Sequence, residues 1–484
     1  MYSASARYFS VFIVPTLLML FSGGLSAAED SAGDSPPTFA SALEASIRLR
    51  SEVDRFREQI VQQELQFGPY DRSLVEPLNG LNDVLIELQA YDEVDANLNR
   101  ILMLLRTLDG PASLEQIPVL ETAIRNDIRR RDWESVTQRF EFMHYLFSQN
   151  ETDNAAVQLE ARDELIKWHL TALYLDDKAN RLQHFTEAME LQRQNLNLAE
   201  ETFDTDNPQL IPWLYRSAVQ KFRVYSILNA DDELGLDARR AIIGGYYMED
   251  QLNQIQQYIY SPVPGRGPRN YLEEELRRAR LEGLGLIKQI REILSSADDP
   301  EAEAMAIVYE ADFQLLLDRG SAARSYREAM DQLAAAGVNE DRIAEFFSRP
   351  SALPEPEFHT RLEVALSAQD QRGYDVSSAP DRINLGTFVA WNESLASAQR
   401  PALPTAALAV ADEVPMAEFD IQFRLNSRGE ARNRKILDAN TDNSRLRSDA
   451  RDALELIRFR PQFDGDRRIA TDELQITYRI PNAP

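Results

Sequence analysis

The chain has 484 residues, 44% of them hydrophobic, enough to bury more than one sizeable core. Its formal net charge is −27, from 79 acidic and 52 basic residues, a surface that repels phosphate backbones and excludes nucleic acid as a partner. It has no cysteine, which excludes disulfides, thiol catalysis and a lipid-modified N-terminal Cys, and it has only four histidines for any soft metal site.

Arg7 is the only charged side chain before Glu29. It precedes an apolar run from Tyr8 to Phe21, then Ser22-Gly23-Gly24, with small residues at Ser26 and Ala28. That is the order of a secretory signal, so residues 1–28 are expected to be removed on export to the periplasm, leaving Glu29 first. The alternative is a retained anchor that holds the chain at the inner membrane, facing the periplasm, and membrane contact is expected only in that case. Pro15 and the glycine pair disfavour such a continuous helix. Residues 29–37 read as a polar leader.

From 38 to 348 apolar residues recur at three- and four-residue spacing, as in Leu98, Ile101, Leu102 and Leu105 or Phe140, Met143, His144 and Phe147. The offset between these two stripes is 42 residues, and it also carries Gly68-Pro69 onto Gly110-Pro111, Leu78 onto Leu120, Ile86 onto Ile128, Tyr91 onto Trp133 and Val94 onto Val136. Phe67, Leu74, Val75 and Leu78 find a third echo in Phe203, Leu210, Ile211 and Leu214, with Asn207-Pro208 at a hairpin junction. A fixed period of this size signals stacked helical hairpins. Ala322, Tyr326 and Ala329, with Phe313 and Gly320 upstream, carry the Ala-x-x-x-aromatic-x-x-Ala core of a tetratricopeptide repeat, and the body resembles divergent members of that family. Residues 170–200 and 250–300 depart from the series, and Pro262, Pro264, Gly265, Gly267 and Pro268 form an interrupting loop.

Beyond Arg349-Pro350 the prolines at 350, 354, 356, 380, 401, 404 and 415 break the pattern, so 349–415 reads as a partly structured connector. Leu385, Phe388, Trp391 and Leu395 mark one ordered segment in it. From Met416 the period becomes two: Phe419, Ile421, Phe423 and Leu425 alternate with polar residues, as a strand with one buried face does. Ser427-Arg428-Gly429 is a tight turn, and Glu430–Leu437 a second strand. Ser444 is the expected N-cap of a helix with Leu446, Ala450, Ala453, Leu454 and Ile457 on one face, ended by Pro461. After a turn at Gly465 the last strand alternates Leu474, Ile476, Tyr478 and Ile480 with polar residues.

This ordered set over residues 416–484 resembles the TonB C-terminal domain family. Its landmarks are the F-x-I-x-F-x-L strand, the S-R-G turn, the A-L-E-L-I helix, the R-F-R-P exit and the closing I-T-Y-R-I. The expected fold is therefore mainly α: a tetratricopeptide-like helical-repeat solenoid followed by a small α+β TonB-like domain. The resemblance implies docking of an extended peptide of an outer-membrane protein by strand addition, in association with TonB-dependent transport. Its implied partners are outer-membrane TonB-dependent receptors and the inner-membrane energising complex. The docking edge would be the last strand, Asp472, Glu473, Leu474, Gln475, Ile476, Thr477, Tyr478, Arg479 and Ile480. The chain departs from TonB itself in its cleavable-looking start, in a helical body where TonB has a Pro-rich spacer, and in having Leu403-Pro404 as the nearest equivalent of a Tyr-Pro motif.

Residues 416–484 hold thirteen Arg/Lys and twelve Asp/Glu, a net of +1, which leaves −28 for residues 1–415 and points to different partners for the two parts. No phosphate loop or Gly-x-Ser-x-Gly elbow occurs. Asp438, Asn440, Asp442 and Asp449 imitate a calcium loop but lack its glycine and closing glutamate. His144, His169, His184 and His359 lack ligand spacing, and Glu273–Glu275 beside Arg277, Arg278 and Arg280 read as helical ion pairs. The expectation is a periplasmic adaptor that is not an enzyme and needs no metal or cofactor. A membrane-anchored energy transducer and a scaffold for envelope assembly are the alternatives. The C-terminal residues, from Leu403 on, are expected to fold alone, at marginal stability.

Overall fold

The computed structural model describes residues 39–150, 155–229, 234–241, 268–317, 320–371, 374–375, 382–389, 416–465, 467–471 and 473–481. The expected signal segment, the leader, the Pro262–Gly267 part of the loop, Trp391 and Leu395 all lie outside these residues. The protein is mainly helical with a small C-terminal sheet region. No described helix is long and apolar enough to cross a membrane. Residues 52–484 form one compact unit.

The helices are α1 (Phe39–Phe67), α2 (Val75–Glu87), α3 (Tyr91–Asp109), α4 (Ile117–Arg130), α5 (Trp133–Gln149), α6 (Ala155–Leu175), α7 (Arg181–Thr202) and α8 (Ile211–Asn229). A short α9 (234–241) follows, then α10 (Pro268–Ser296), α11 (Pro300–Leu316), α12 (Ala322–Ala335) and α13 (Glu340–Ser348). From α2 to α8 each helix packs on the next in the chain; α8 then packs on α10, α10 on α11 and α11 on α12. Their entries share one local device. Asp71, Ser113 and Asn207 each accept a hydrogen bond from the backbone N–H two residues on, opening a 3₁₀ turn that runs into α2, α4 and α8. Buried asparagines tie neighbouring helices together: Asn97 donates to Leu78 O, Asn126 to Tyr91 O and Asn195 to Leu159 O.

Helix α11 differs from the others because it has no solvent face. Every residue from Ala304 to Leu316 is buried, including Glu310, Asp312 and Gln314. An all-round buried helix needs covering elements on every side, and here they include the C-terminal part of the chain.

That part holds β1 (Ser351–Leu353), α14 (Leu362–Gln371), β2 (Tyr374–Asp375), β3 (Arg382–Val389), β4 (Met416–Leu425), β5 (Ala431–Ala439), α15 (Ser444–Leu456), β6 (Arg458–Arg460), β7 (Phe463–Asp464), β8 (Arg467–Arg468) and β9 (Glu473–Pro481). The main sheet runs β2-β3-β9-β4-β5, and its β3–β9 pairing is parallel. The period-two pattern of β4 buries Ala417, Phe419, Ile421, Phe423 and Leu425 against Ala450, Ala453 and Leu454 of α15. Strand β5 is blunted as an edge by Arg432, Arg434, Lys435 and a register irregularity near Asn433, which has φ +55°.

Residues 349–415 contribute β1, α14, β2 and β3, and two expectations change. Asn443, not Ser444, caps α15, accepting from Arg445 N and Leu446 N. Arg458-Phe459-Arg460 is a strand, antiparallel to β1, and not merely a helix exit.

Candidate functional site

The expected docking strand is not an edge. Glu473 to Ile480 lie in β9, between β4 on one side and β3 on the other; Asp472 is outside the described residues. Ile383 pairs with Leu474, Asn384 with Gln475, Thr387 with Thr477 and Val389 with Arg479. Leu474, Ile476 and Tyr478 face the core, while Thr477 donates to Asp420 Oδ1 (2.6 Å) and Arg479 to Glu418 Oε2 (2.9 Å) on the other face. The edge left bare in the sequence reading is filled by the segment containing Leu385 and Phe388. Its signal was partial: Ile383 and Leu385 alternate with polar residues, but Gly386 and the irregular register at Asn384/Thr387 break the pattern before Phe388.

The second feature is the junction of this sheet region with α11–α13. Arg460 is 1% exposed and meets Asp312, equally buried, with Nε donating to Oδ1 at 2.9 Å and Nη2 to Oδ2 at 2.6 Å. Tyr326 donates to Asp312 Oδ1 (2.6 Å), the Arg460 guanidinium stacks 4.7 Å from the Phe346 ring centre, and Glu355 Oε1 lies 3.8 Å from Nη1. Burial pushes the Asp312 carboxyl up, with the Arg460 charge opposing it. Burial also works against the Arg460 charge, yet Asp312 holds its pKa above the ordinary value. Tyr326 thus receives the C-terminal residues, with Phe463 edge-on to its ring and to Phe347.

Above this ion pair the β4–β5 turn is pressed onto β6. Gly429 has φ +73°, and a Cβ there would meet Phe459 O at 1.9 Å. Phe459 N donates to Gly429 O, and Asn426 Oδ1 accepts from the N–H groups of Arg428 and Glu430. The turn therefore holds Arg428 beside Arg458, which pairs with Glu430 at 2.8 Å. The guanidiniums of Arg432 and Arg458 and the Asn426 amide hold the Glu430 carboxyl down to about 2, the Asn426 hydrogen bond contributing most.

Two histidines that look unrelated in sequence meet in the body. His169 Nδ1 and His184 Nδ1 are 2.9 Å apart, and His184 Nε2 is 2.9 Å from Asp176 Oδ2. Each histidine stands seven residues from the Asp176-Asp177 turn, so the antiparallel α6–α7 hairpin brings them level, a symmetry that is visible in the numbering. Among the described residues no His, Asp and Glu cluster is arranged to hold a metal. In the calcium-like series Asp438 accepts from Ala439 N, Asn440 accepts from Glu418 N and donates to Met416 O, and Asp449 lies 3.9 Å from Arg445. On α10, Glu274 pairs with Arg277 and Glu275 with Arg278.

No protein-family model matches the chain, and no curated protein matches it.

Proposed function

We propose that the chain is a protein-binding adaptor of the TonB-like class, exported to the periplasm, whose C-terminal sheet receives an extended segment by strand addition. The observation that carries the reading is β3 itself: β9 pairs in parallel with an extended segment joined to β4 only through residues 390–415. On this reading β3 is the resident occupant, and a partner's peptide enters by exchange with it. The helical body is the second binding surface, a divergent tetratricopeptide-like array. The shared offset of α2 with α4 and α3 with α5, and the common capped turns at Asp71, Ser113 and Asn207, support that.

A second reading is favoured by the buried Arg460–Asp312 pair, which ties the sheet region to the body: a closed scaffold in which β3 never leaves. The two readings are separated by replacing residues 382–389 with a Gly/Ser linker and titrating a fluorescent peptide of the Arg382–Val389 sequence. Strand exchange requires saturable binding to the replaced chain, at least tenfold tighter than to the intact one. A replaced chain that keeps its helical signal but takes up no peptide leaves the closed scaffold standing.

A further inference from the structure

We propose that the half-open cavity between the start of α12 and the C-terminal sheet region is a binding site for a phosphate dianion, held by Arg428, Arg458 and Arg468. The cavity has a volume of about 300 Å³, at the lower end of what small ligands occupy. Among the described residues its ionisable lining is three arginines and Glu430, a net of +2, in a chain whose net charge is −27. The sign is opposite to that of the molecule as a whole.

The arginines of the neighbouring strands show what this chain ordinarily does with a guanidinium. Arg424, Arg432, Arg434 and Arg479 each hold a carboxylate, of Glu473, Glu430, Glu455 and Glu418 respectively. Arg428 and Arg468 make no ion pair among the described residues, although acids outnumber bases overall. Arg458 keeps its pairing with Glu430, and that carboxylate is already satisfied by Asn426, Arg432 and Arg458. Glu430 therefore has little capacity to neutralise the two remaining charges. An oxyanion offers several acceptors to guanidinium forks, and the pairing is bidentate and charge-assisted.

The frame of the site is fixed before any ligand arrives. The Asn426–Glu430 turn cannot move away from β6 without breaking the Phe459–Gly429 hydrogen bond, so Arg428 is presented from a constrained loop. The β7–β8 hairpin carries Arg468 and is anchored by Phe463 between Tyr326 and Phe347. On the opposite wall Ala322 and Ala323 begin α12, whose first turn has no acidic residue and whose Ser321 hydroxyl is spent on Gln314 rather than on a cap. The partial positive charge of that helix start adds to the arginines. At physiological ionic strength the distant acids are screened beyond about 8 Å, whereas groups lining the cavity act at contact.

The test uses the full chain and calorimetric titration with inorganic phosphate, glycerol phosphate and, as a dicarboxylate control, succinate. Phosphate is expected to bind saturably, and Arg428→Ala with Arg468→Ala to weaken it at least tenfold without changing the thermal melt. Arg434→Ala, outside the cavity, is expected to leave it unchanged. Tighter binding of glycerol phosphate supports the site and assigns it to the phosphomonoester of a larger molecule; phosphate alone supports a free ion. Equal binding by the double variant, succinate binding as tightly as phosphate, or no saturation by about 10 mM would overturn the proposal.

Discussion

At Arg460 the chain puts a permanent positive charge at 1% exposure, where it survives only because Asp312, Tyr326 and the Phe346 ring surround it. Removing one partner of such a pair strands the other, at a cost of about 3–5 kcal/mol, whereas replacing both with apolar groups costs much less. Arg460→Met is therefore expected to destabilise the protein by about 3–5 kcal/mol in urea unfolding. Adding Asp312→Leu should return part of that loss, leaving a remainder of about 1–3 kcal/mol for the Tyr326 hydroxyl without its acceptor. Independent, additive losses would show that the pair contributes nothing as a pair. None of this is visible in the sequence: Arg460 stands before Pro461 like any helix-terminal arginine, and Asp312 is one of 79 acids. Burial is decided by what α11 is packed against, which no local pattern records.

Among the elements, helices and strands with one wet face were legible, because their periodicity is itself the trace of burial. Strand β4 and helix α15 fall where alternation and an apolar face put them, within a residue or two. Helix α11 and strand β3 were harder: the first is buried all round and carries no stripe, and the second loses its alternation at Gly386. The α6–α7 hairpin yields a prediction of its own. Burial lowers the His169 pKa from its ordinary value to about 3, with His184 adding to the effect. The unfolded chain takes up that proton near pH 6.5 and the folded chain only near 3, so the unfolded state binds more protons in between. Stability from this group is thus full above pH 6.5 and declines as pH falls toward 3. His169→Asn retains a hydrogen-bonding partner for His184 but does not titrate, and its melting temperature is expected to fall less than that of the parent between pH 6.5 and 4. Parallel melting curves for the two proteins would exclude His169 as the source.

For the whole molecule, the sequence boundary at 416 marks a change of period, and the compact unit of residues 52–484 runs across it. A fragment from Leu403 to Pro484 lacks β3, β1 and Asp312, so it bares one side of β9 and leaves Arg460 and Phe463 without their partners. Instead of folding alone, it is expected to melt without a cooperative transition, measured by circular dichroism against the full chain. A sharp transition for the fragment would mean that β4, β5, α15 and β9 close a sufficient core by themselves. The order of strands also carries a consequence in time. Strands β3 and β4 are both made before β9 yet are not neighbours in the sheet; the inner edge of each pairs only with β9, which comes 91 residues after the start of β3, from Arg382 to Glu473. Loops of this length close slowly, and here closure must wait until the joining strand has been made. Until then, two strand edges stand unpaired with nothing between them, and during that interval the nascent chain is most open to a chaperone, a protease or another chain.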